Sequence, residues 1–189
     1  MLAYLFWHRP RSGGAREEYE QAVLAFHRSL ARTPPAGNLG SAAFSLARAP
    51  WPDDAGELYE DWYLVEDFAA LGVLNRAAVG RGHRTPHDAV AVRSGFGAGG
   101  LYELLEGDGG LEADQAVWVS RAPGGPPPEM GELLADGIDP RRASLWQRQL
   151  VLGPAPEFCL LTHEPPAGAA ATRLAPGWSA QTLGRRPLA

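Results

Sequence analysis

The stretch LAYLFWHR, residues 2–9, carries apolar side chains on both of its alternating faces. Leu2, Tyr4, Phe6 and His8 share one face; Ala3, Leu5, Trp7 and Arg9 share the other. A strand with one wet side shows polar residues at every second position, so this pattern predicts a strand buried on both sides. Pro10 and the pair Gly13-Gly14 end it. A similar run returns as QAVWVSRAPGG, residues 115–125: an apolar strand, an arginine, a proline and a glycine pair. The arginine and proline recur, which marks them as architecture. His8 does not recur, since Ser120 holds its place, and that makes His8 a candidate for function.

Working outward from the first strand, residues 15–32 read as a helix. Tyr19, Val23, Phe26 and Leu30 fall at helical spacing, with acids in the first turn and Arg28 and Arg32 in the last. His27 lies beside that core face. TPPAGN breaks the helix, and residues 39–47 read as a strand whose Ser41, Ala43 and Ser45 form a face of small side chains. LYEDWYLVE, residues 58–66, is a third strand. Alternation puts Glu60, Trp62 and Leu64 on one face and Asp61, Tyr63 and Val65 on the other, so acid and aromatic mix on both. Residues 68–80 predict a second helix, 87–95 a further short one, and 99–107 a fourth strand. The order is β-α-β-β-α-β, the split β-α-β or ferredoxin-like pattern.

After residue 110 the order returns in degenerate form. The strand at 115 is followed by a shorter helix within 126–138, strands at 143–153 and 157–164, a proline-rich segment at 164–175 where the second helix would stand, and a closing strand at 177–184. The expectation is an α+β protein with two ferredoxin-like repeats, 1–110 and 111–189, fused into a single domain. Two sheets of this kind bury their faces by packing sheet on sheet with the helices outside.

That element order, together with YEDWYLVEDFAALGVLN (residues 59–75), a strand ending in acid and running straight into a helix, resembles the dimeric α+β barrel superfamily. The superfamily includes cofactor-free antibiotic-biosynthesis monooxygenases, EthD-like and NIPSNAP-like proteins, muconolactone isomerase and haem-binding chlorite dismutase-like enzymes. The resemblance implies a barrel made by two chains or by one duplicated chain, hence a monomer or a homodimer. It also implies a cavity inside the barrel or between sheet and helices, holding a small, largely apolar or aromatic molecule.

Composition narrows the chemistry. A net charge of −5 with no broad basic field argues against nucleic acid as a partner. The opening apolar run is too short for a signal peptide and its arginines follow it, and no stretch has the length of a membrane span, so the expectation is a cytoplasmic protein without a membrane partner. Cys159 is the only cysteine, which excludes an internal disulfide framework and a cysteine-based zinc site. There is no lysine, which excludes Schiff-base chemistry.

Candidate site residues follow from what is left. GHRTPHD, residues 82–88, places His83 and His87 four apart, but Pro86 interrupts a shared helical face and suits a first turn capped by Thr85. No metal site is assigned there. His8 and His87 are the candidate acid–base residues, because a neutral imidazole exchanges protons near physiological pH; His163 ends the seventh strand at a place like that of His8. Tyr4, Phe6, Trp62, Tyr63, Trp118 and Trp146 are candidates to stack on a flat ligand. Arg148, in mid-strand with Trp146, must reach solvent, an acid or an anionic ligand. The glycine run 95–100 precedes a strand and opens no helix, so it is no dinucleotide fingerprint and reads as a flexible lead-in. Residues 105–115 are acidic but lack EF-hand spacing, and there is no G-x-S-x-G elbow. Three readings stay open: a monooxygenase or isomerase needing no cofactor, a non-catalytic ligand-binding or interaction module, and a haem protein.

Overall fold

The computed structural model describes residues 1–51, 56–80, 82–121, 127–134, 139–151, 155–163 and 178–188. Among these residues eight strands and four α-helices follow in the order β1 (Leu2–Pro10), α1 (Arg16–Arg32), β2 (Asn38–Leu46), β3 (Leu58–Val65), α2 (Phe68–Ala78), α3 (Arg84–Ala91), β4 (Ser94–Gly107), β5 (Gln115–Ser120), the single turn α4 (Met130–Leu133), β6 (Ala143–Val151), β7 (Phe158–Thr162) and β8 (Ser179–Pro187). The strands form one closed barrel in the order β1-β3-β2-β8-β5-β7-β6-β4, antiparallel at every pairing. The first half runs β4-β1-β3-β2 and the second β8-β5-β7-β6, the same order twice. Two seams join them. The β4–β6 seam runs from Gly100 opposite Val151 to Gly107 opposite Ser144, whereas the β2–β8 seam pairs only Phe44 to Leu46 with Pro187 to Arg185.

Three elements differ from the sequence expectation. The glycine run is not a lead-in but part of β4. Its glycines lie under aromatic rings: a Cβ on Gly97 would stand 2.6 Å from the Phe6 ring, and one on Gly100 2.9 Å from the Tyr102 ring. Glycine weakens a strand in isolation, but here it lets rings lie across the backbone. The helix α3 starts at Arg84 with His83 in the N-cap position, so Thr85 and Pro86 lie inside its first turn. The helix expected in 126–138 is one turn, closed by a capping box between Glu129 and Glu132. The segment expected at 164–175 lies outside the described residues.

The barrel interior is filled. Trp7, Trp62, Trp118 and Trp146 are fully buried there with Leu5, Tyr102, Cys159 and Leu161. Trp7 meets Trp118, and Trp62 meets Trp146, each edge-on at 5.5 Å. Into this packing the chain inserts one ion pair, Arg185 Nε to Glu60 Oε1 at 3.1 Å, with both side chains at zero exposure. Trp62 Nε1 donates to Glu60 Oε1 at 2.7 Å and Trp7 Nε1 to Glu60 Oε2 at 2.9 Å. The guanidinium also donates to the Ala113 carbonyl at 2.7 Å and lies 3.5 Å over the Phe44 ring.

The outer faces of the strands meet the helices. Leu2, Tyr63, Val65 and Leu101 pack against Phe26 and Leu30 of α1 and Ala70 and Leu74 of α2. On the other half, Val117, Val119, Leu145, Phe158 and Leu160 pack against Met130, Leu133 and Leu134. Among the described residues no helix is long and apolar enough to cross a membrane.

Removing one member of a buried ion pair leaves the other charge uncompensated, which costs about 3–5 kcal/mol, while replacing both by apolar groups is close to neutral. Arg185→Leu is therefore expected to lower unfolding free energy by about that amount, and Glu60→Met with Arg185→Leu to recover most of it. Urea unfolding of the two variants beside the parent checks both.

Candidate functional site

Strand parity builds the site. Turning Glu60 into the barrel turns its neighbour Asp61 outward, under the helices, beside Tyr59 and Tyr63 (also facing out). On β1 the same parity sends Trp7 in and Tyr4, Phe6 and His8 out. The register then places Phe6 opposite Asp61 and Tyr4 opposite Tyr63. Above this face, α1, α2 and α3 enclose a cavity of about 690 Å³. Phe6, Phe26, Leu71, Leu74, Ala78 and Val90 make it mainly apolar; Tyr4, Asp61, Tyr63, Asn75, His87 and Ser94 supply its polar groups.

Asp61 is the centre of the polar cluster. Its side chain is 4% exposed and meets three partners. Tyr63 donates its hydroxyl to Oδ2 at 2.9 Å. His8 Nε2 lies 3.1 Å from Oδ2, and His27 Nε2 lies 3.4 Å from Oδ1. Neither imidazole contact is aligned as a hydrogen bond: His8 Nε2, His27 Nε2 and Asp61 Oδ1 are all buried without an aligned partner. Three such atoms around one carboxylate are unusual in a folded interior. On their far sides the two imidazoles are fixed, His8 Nδ1 to the Tyr19 hydroxyl at 2.6 Å and His27 Nδ1 to the Ser41 hydroxyl at 2.7 Å. His8 is further held between the rings of Phe6 and Tyr59, stacked at 5.5 and 5.7 Å.

Burial alone would push the Asp61 carboxyl up, but the two neighbouring histidines more than offset this and hold it well below the usual carboxylate range. Burial, reinforced by the Asp61 charge, pushes the Tyr63 phenol well up, and burial raises Tyr19 to about 12. Both phenols therefore stay protonated as donors while Asp61 is the anion.

The structure brings Tyr4, Phe6, Tyr63 and His87 to one cavity, with His8 behind its floor. His87 stands on α3, its Nδ1 3.0 Å from Asp88 Oδ1 and its ring edge-on to Phe26. Trp62, Trp118 and Trp146 lie on the other side of the sheet, in the barrel packing. Arg148 donates to the Ala155 carbonyl, ahead of β7. His83 is buried against the Ser29 hydroxyl at 2.8 Å. His163 lines a separate hollow of about 740 Å³ with Arg142 and Leu161. Asp61 and His27 were not singled out from the sequence. The signal for Asp61 was its outward parity with Tyr63; for His27 it was its place next to Phe26, on the α1 turn that covers the small face of β2.

Among the described residues no group of three or more histidine, cysteine or carboxylate side chains is arranged to hold a metal. For haem, the cavity offers one imidazole, His87, as an axial ligand, and its described lining contains no arginine to meet the two propionates. It also sets an anionic carboxylate at the floor. The donor set does not fit haem, and no step is derived through it.

No protein-family model matches the chain, and no curated protein matches it. Solved structures do. A candidate monooxygenase from Fusobacterium nucleatum aligns over all of this chain and 92% of its own, at 9% identity and a TM-score of 0.61. An anthrone oxidase-like protein aligns over 99% of this chain and 93% of its own, at 13% identity and a TM-score of 0.49. A candidate chlorite dismutase aligns over 100% and 96%, at 12% identity and a TM-score of 0.47. The first of these shows the fold: an α+β barrel of the kind that the sequence resembles.

A group whose carboxyl is depressed in the folded state stabilises that state above the unfolded pKa and ceases to do so as pH falls. Asp61 therefore contributes stability at neutral pH that is lost as pH drops below about 4, the unfolded carboxylate value. Asp61→Asn is expected to be less stable at pH 7 and to lose less further stability on acidification. Denaturant unfolding at a series of pH values from 7 to about 3 measures it.

Proposed function

We propose that the chain is an enzyme needing no cofactor that removes a proton from a small, flat, largely apolar molecule bearing an acidic C–H or O–H. The observation that carries this reading is the Asp61 carboxylate at the inner end of an apolar cavity, with a histidine at each oxygen and three buried polar atoms around it lacking aligned partners. A cavity that only binds an apolar ligand has no use for a desolvated anion backed by two imidazoles.

The chemistry follows from the arrangement. The ligand ring lies between Phe6, Phe26 and Leu74, its acidic position toward Asp61. Asp61 accepts the proton, and His8 Nε2 and His27 Nε2, 3.1 and 3.4 Å from its oxygens, are placed to take it on. Tyr63, released from the carboxylate, and Tyr4 can donate to the oxygen on which negative charge develops. The resulting anion has two fates. Protonation at another atom gives an isomer. Reaction with O₂ converts a CH₂ to C=O, the second oxygen leaving as water. The fold neighbour described as a candidate monooxygenase supports the second fate as a class. His87, at the cavity wall on α3, contacts the outer part of the ligand.

The test uses a neutral, flat, bicyclic probe with acidic C–H bonds, 2-tetralone. Exchange of its C1 protons in D₂O, followed by NMR, is expected to be accelerated by the protein. Positioned bases contribute about 10²–10⁴-fold, so Asp61→Asn should lower the rate by about 100-fold or more while 2-tetralone binding is kept. Binding without accelerated exchange would instead support a non-catalytic ligand-binding module.

A further inference from the structure

The His8 branch does not end in the protein interior. His8 Nδ1 contacts the Tyr19 hydroxyl at 2.6 Å, and the Tyr19 hydroxyl contacts the Ser94 hydroxyl at 2.9 Å. Ser94 opens β4, and it lines the same cavity as Asp61. The chain of contacts thus leaves the cavity at Asp61, passes behind its wall through two buried side chains, and returns to the cavity on another strand. We infer that Asp61, His8, Tyr19 and Ser94 form a closed proton circuit, which takes a proton from the ligand at Asp61 and returns one to the same ligand at Ser94. This rests on the proton-abstraction reading above.

Donor counting supports the circuit. Ser94 Oγ also donates to the Val90 carbonyl at 3.1 Å. A serine has one hydroxyl proton, so while Ser94 points at Val90, the Tyr19 hydroxyl must donate to Ser94. Tyr19 then accepts from His8, which places a proton on Nδ1; a neutral ring in that state has Nε2 open toward Asp61, where it makes no aligned hydrogen bond. That is the state ready to accept. In the opposite state, Nε2–H faces Asp61, Tyr19 donates to His8 Nδ1, and Ser94 donates to Tyr19. The Val90 carbonyl is not orphaned by that switch, because it also accepts from the Arg93 amide at 2.9 Å. Both directions of the His8 Nδ1–Tyr19–Ser94 segment are therefore satisfied. The rings of Phe6 and Tyr59 hold the His8 plane, so only protons and hydroxyl rotors need to move.

The step balances without a co-reactant. The ligand Cα–H bond breaks and an O–H bond forms on Asp61. That proton moves to His8 Nε2, the Nδ1 proton to Tyr19, the Tyr19 proton to Ser94, and the Ser94 proton to the far carbon of the conjugated anion. The Cα–H electron pair becomes the new double bond, and the far carbon gains the new C–H bond. The ligand class is a β,γ-unsaturated carbonyl compound, or another molecule whose anion spans two protonation sites. The other branch, from Asp61 through His27 to Ser41, ends at a half-buried hydroxyl and lets the carboxyl proton exchange with solvent.

The two ends can be read separately with 3-cyclohexen-1-one in D₂O. Asp61 alone exchanges its C2 protons; the full circuit also yields 2-cyclohexen-1-one by protonation at C4. For Ser94→Ala and Tyr19→Phe we expect the ratio of isomerisation to C2 exchange to fall by about tenfold or more, with Ser94→Thr restoring it. A residue that merely shapes the cavity would lower both rates together, and that result overturns the circuit. So does unchanged isomerisation in Ser94→Ala, or a parent protein that exchanges C2 without isomerising, each of which leaves the Asp61 reading standing. No C2 exchange by the parent protein overturns both.

Discussion

The Glu60–Arg185 pair decides which side of the sheet does what. Two charges with no exposure sit among four tryptophans, and the carboxylate accepts from Arg185, Trp7 and Trp62 at once. Side chains on a strand alternate, so a one-residue slip of β3 would carry Glu60 out of that set and bring Asp61 into it. Asp61 would then meet Trp7 and the Arg185 guanidinium, and the histidines would lose their carboxylate. The pair also ties β3 to β8 across β2, beside the short β2–β8 seam that closes the ring. Barrel closure and the placing of the outer carboxylate thus depend on the same contact.

Once the interior is filled, the barrel has little room for a ligand among those tryptophans. The cavity beside Asp61 lies outside the sheet, and two features make it. The glycines of β4 bring no side chains to the face beside Phe6 and Tyr4, so those rings can lie flat on the backbone. The short helix α3 covers the gap without burying any of its own residues fully. A cavity built this way has a stiff floor, set by strand pairing, and a roof held by fewer contacts. His87 on α3 and Asn75 on α2 supply polar groups at its wall.

Much of this was legible in the residues, and what was not has physical reasons. The two-sided apolar character of residues 2–9 reflects a strand between barrel and helices. Alternation placed Glu60 with Trp62 and Asp61 with Tyr63, but both sets mix acid with aromatic. Which set turns inward is decided by Arg185, 125 residues away in the chain, and no local pattern announces that partner. The tryptophans look alike in sequence whether they line a ligand or a core. His27 was passed over because its spacing sets it at the margin of the α1 core face, where its contact with Asp61 depends on how α1 docks. The glycine run misled because glycine disfavours strands on average, and only the rings packed over it reverse that preference.

The carboxylate at the site has partners on three elements: His8 from β1, His27 from α1 and Tyr63 from β3 itself. Only Tyr63 is local. Before α1 packs on the sheet, Asp61 is an ordinary solvated acid. Burial under α1 strips its water, which raises the free energy of the anion, and His27 from α1 with His8 from the neighbouring β1 offset that cost.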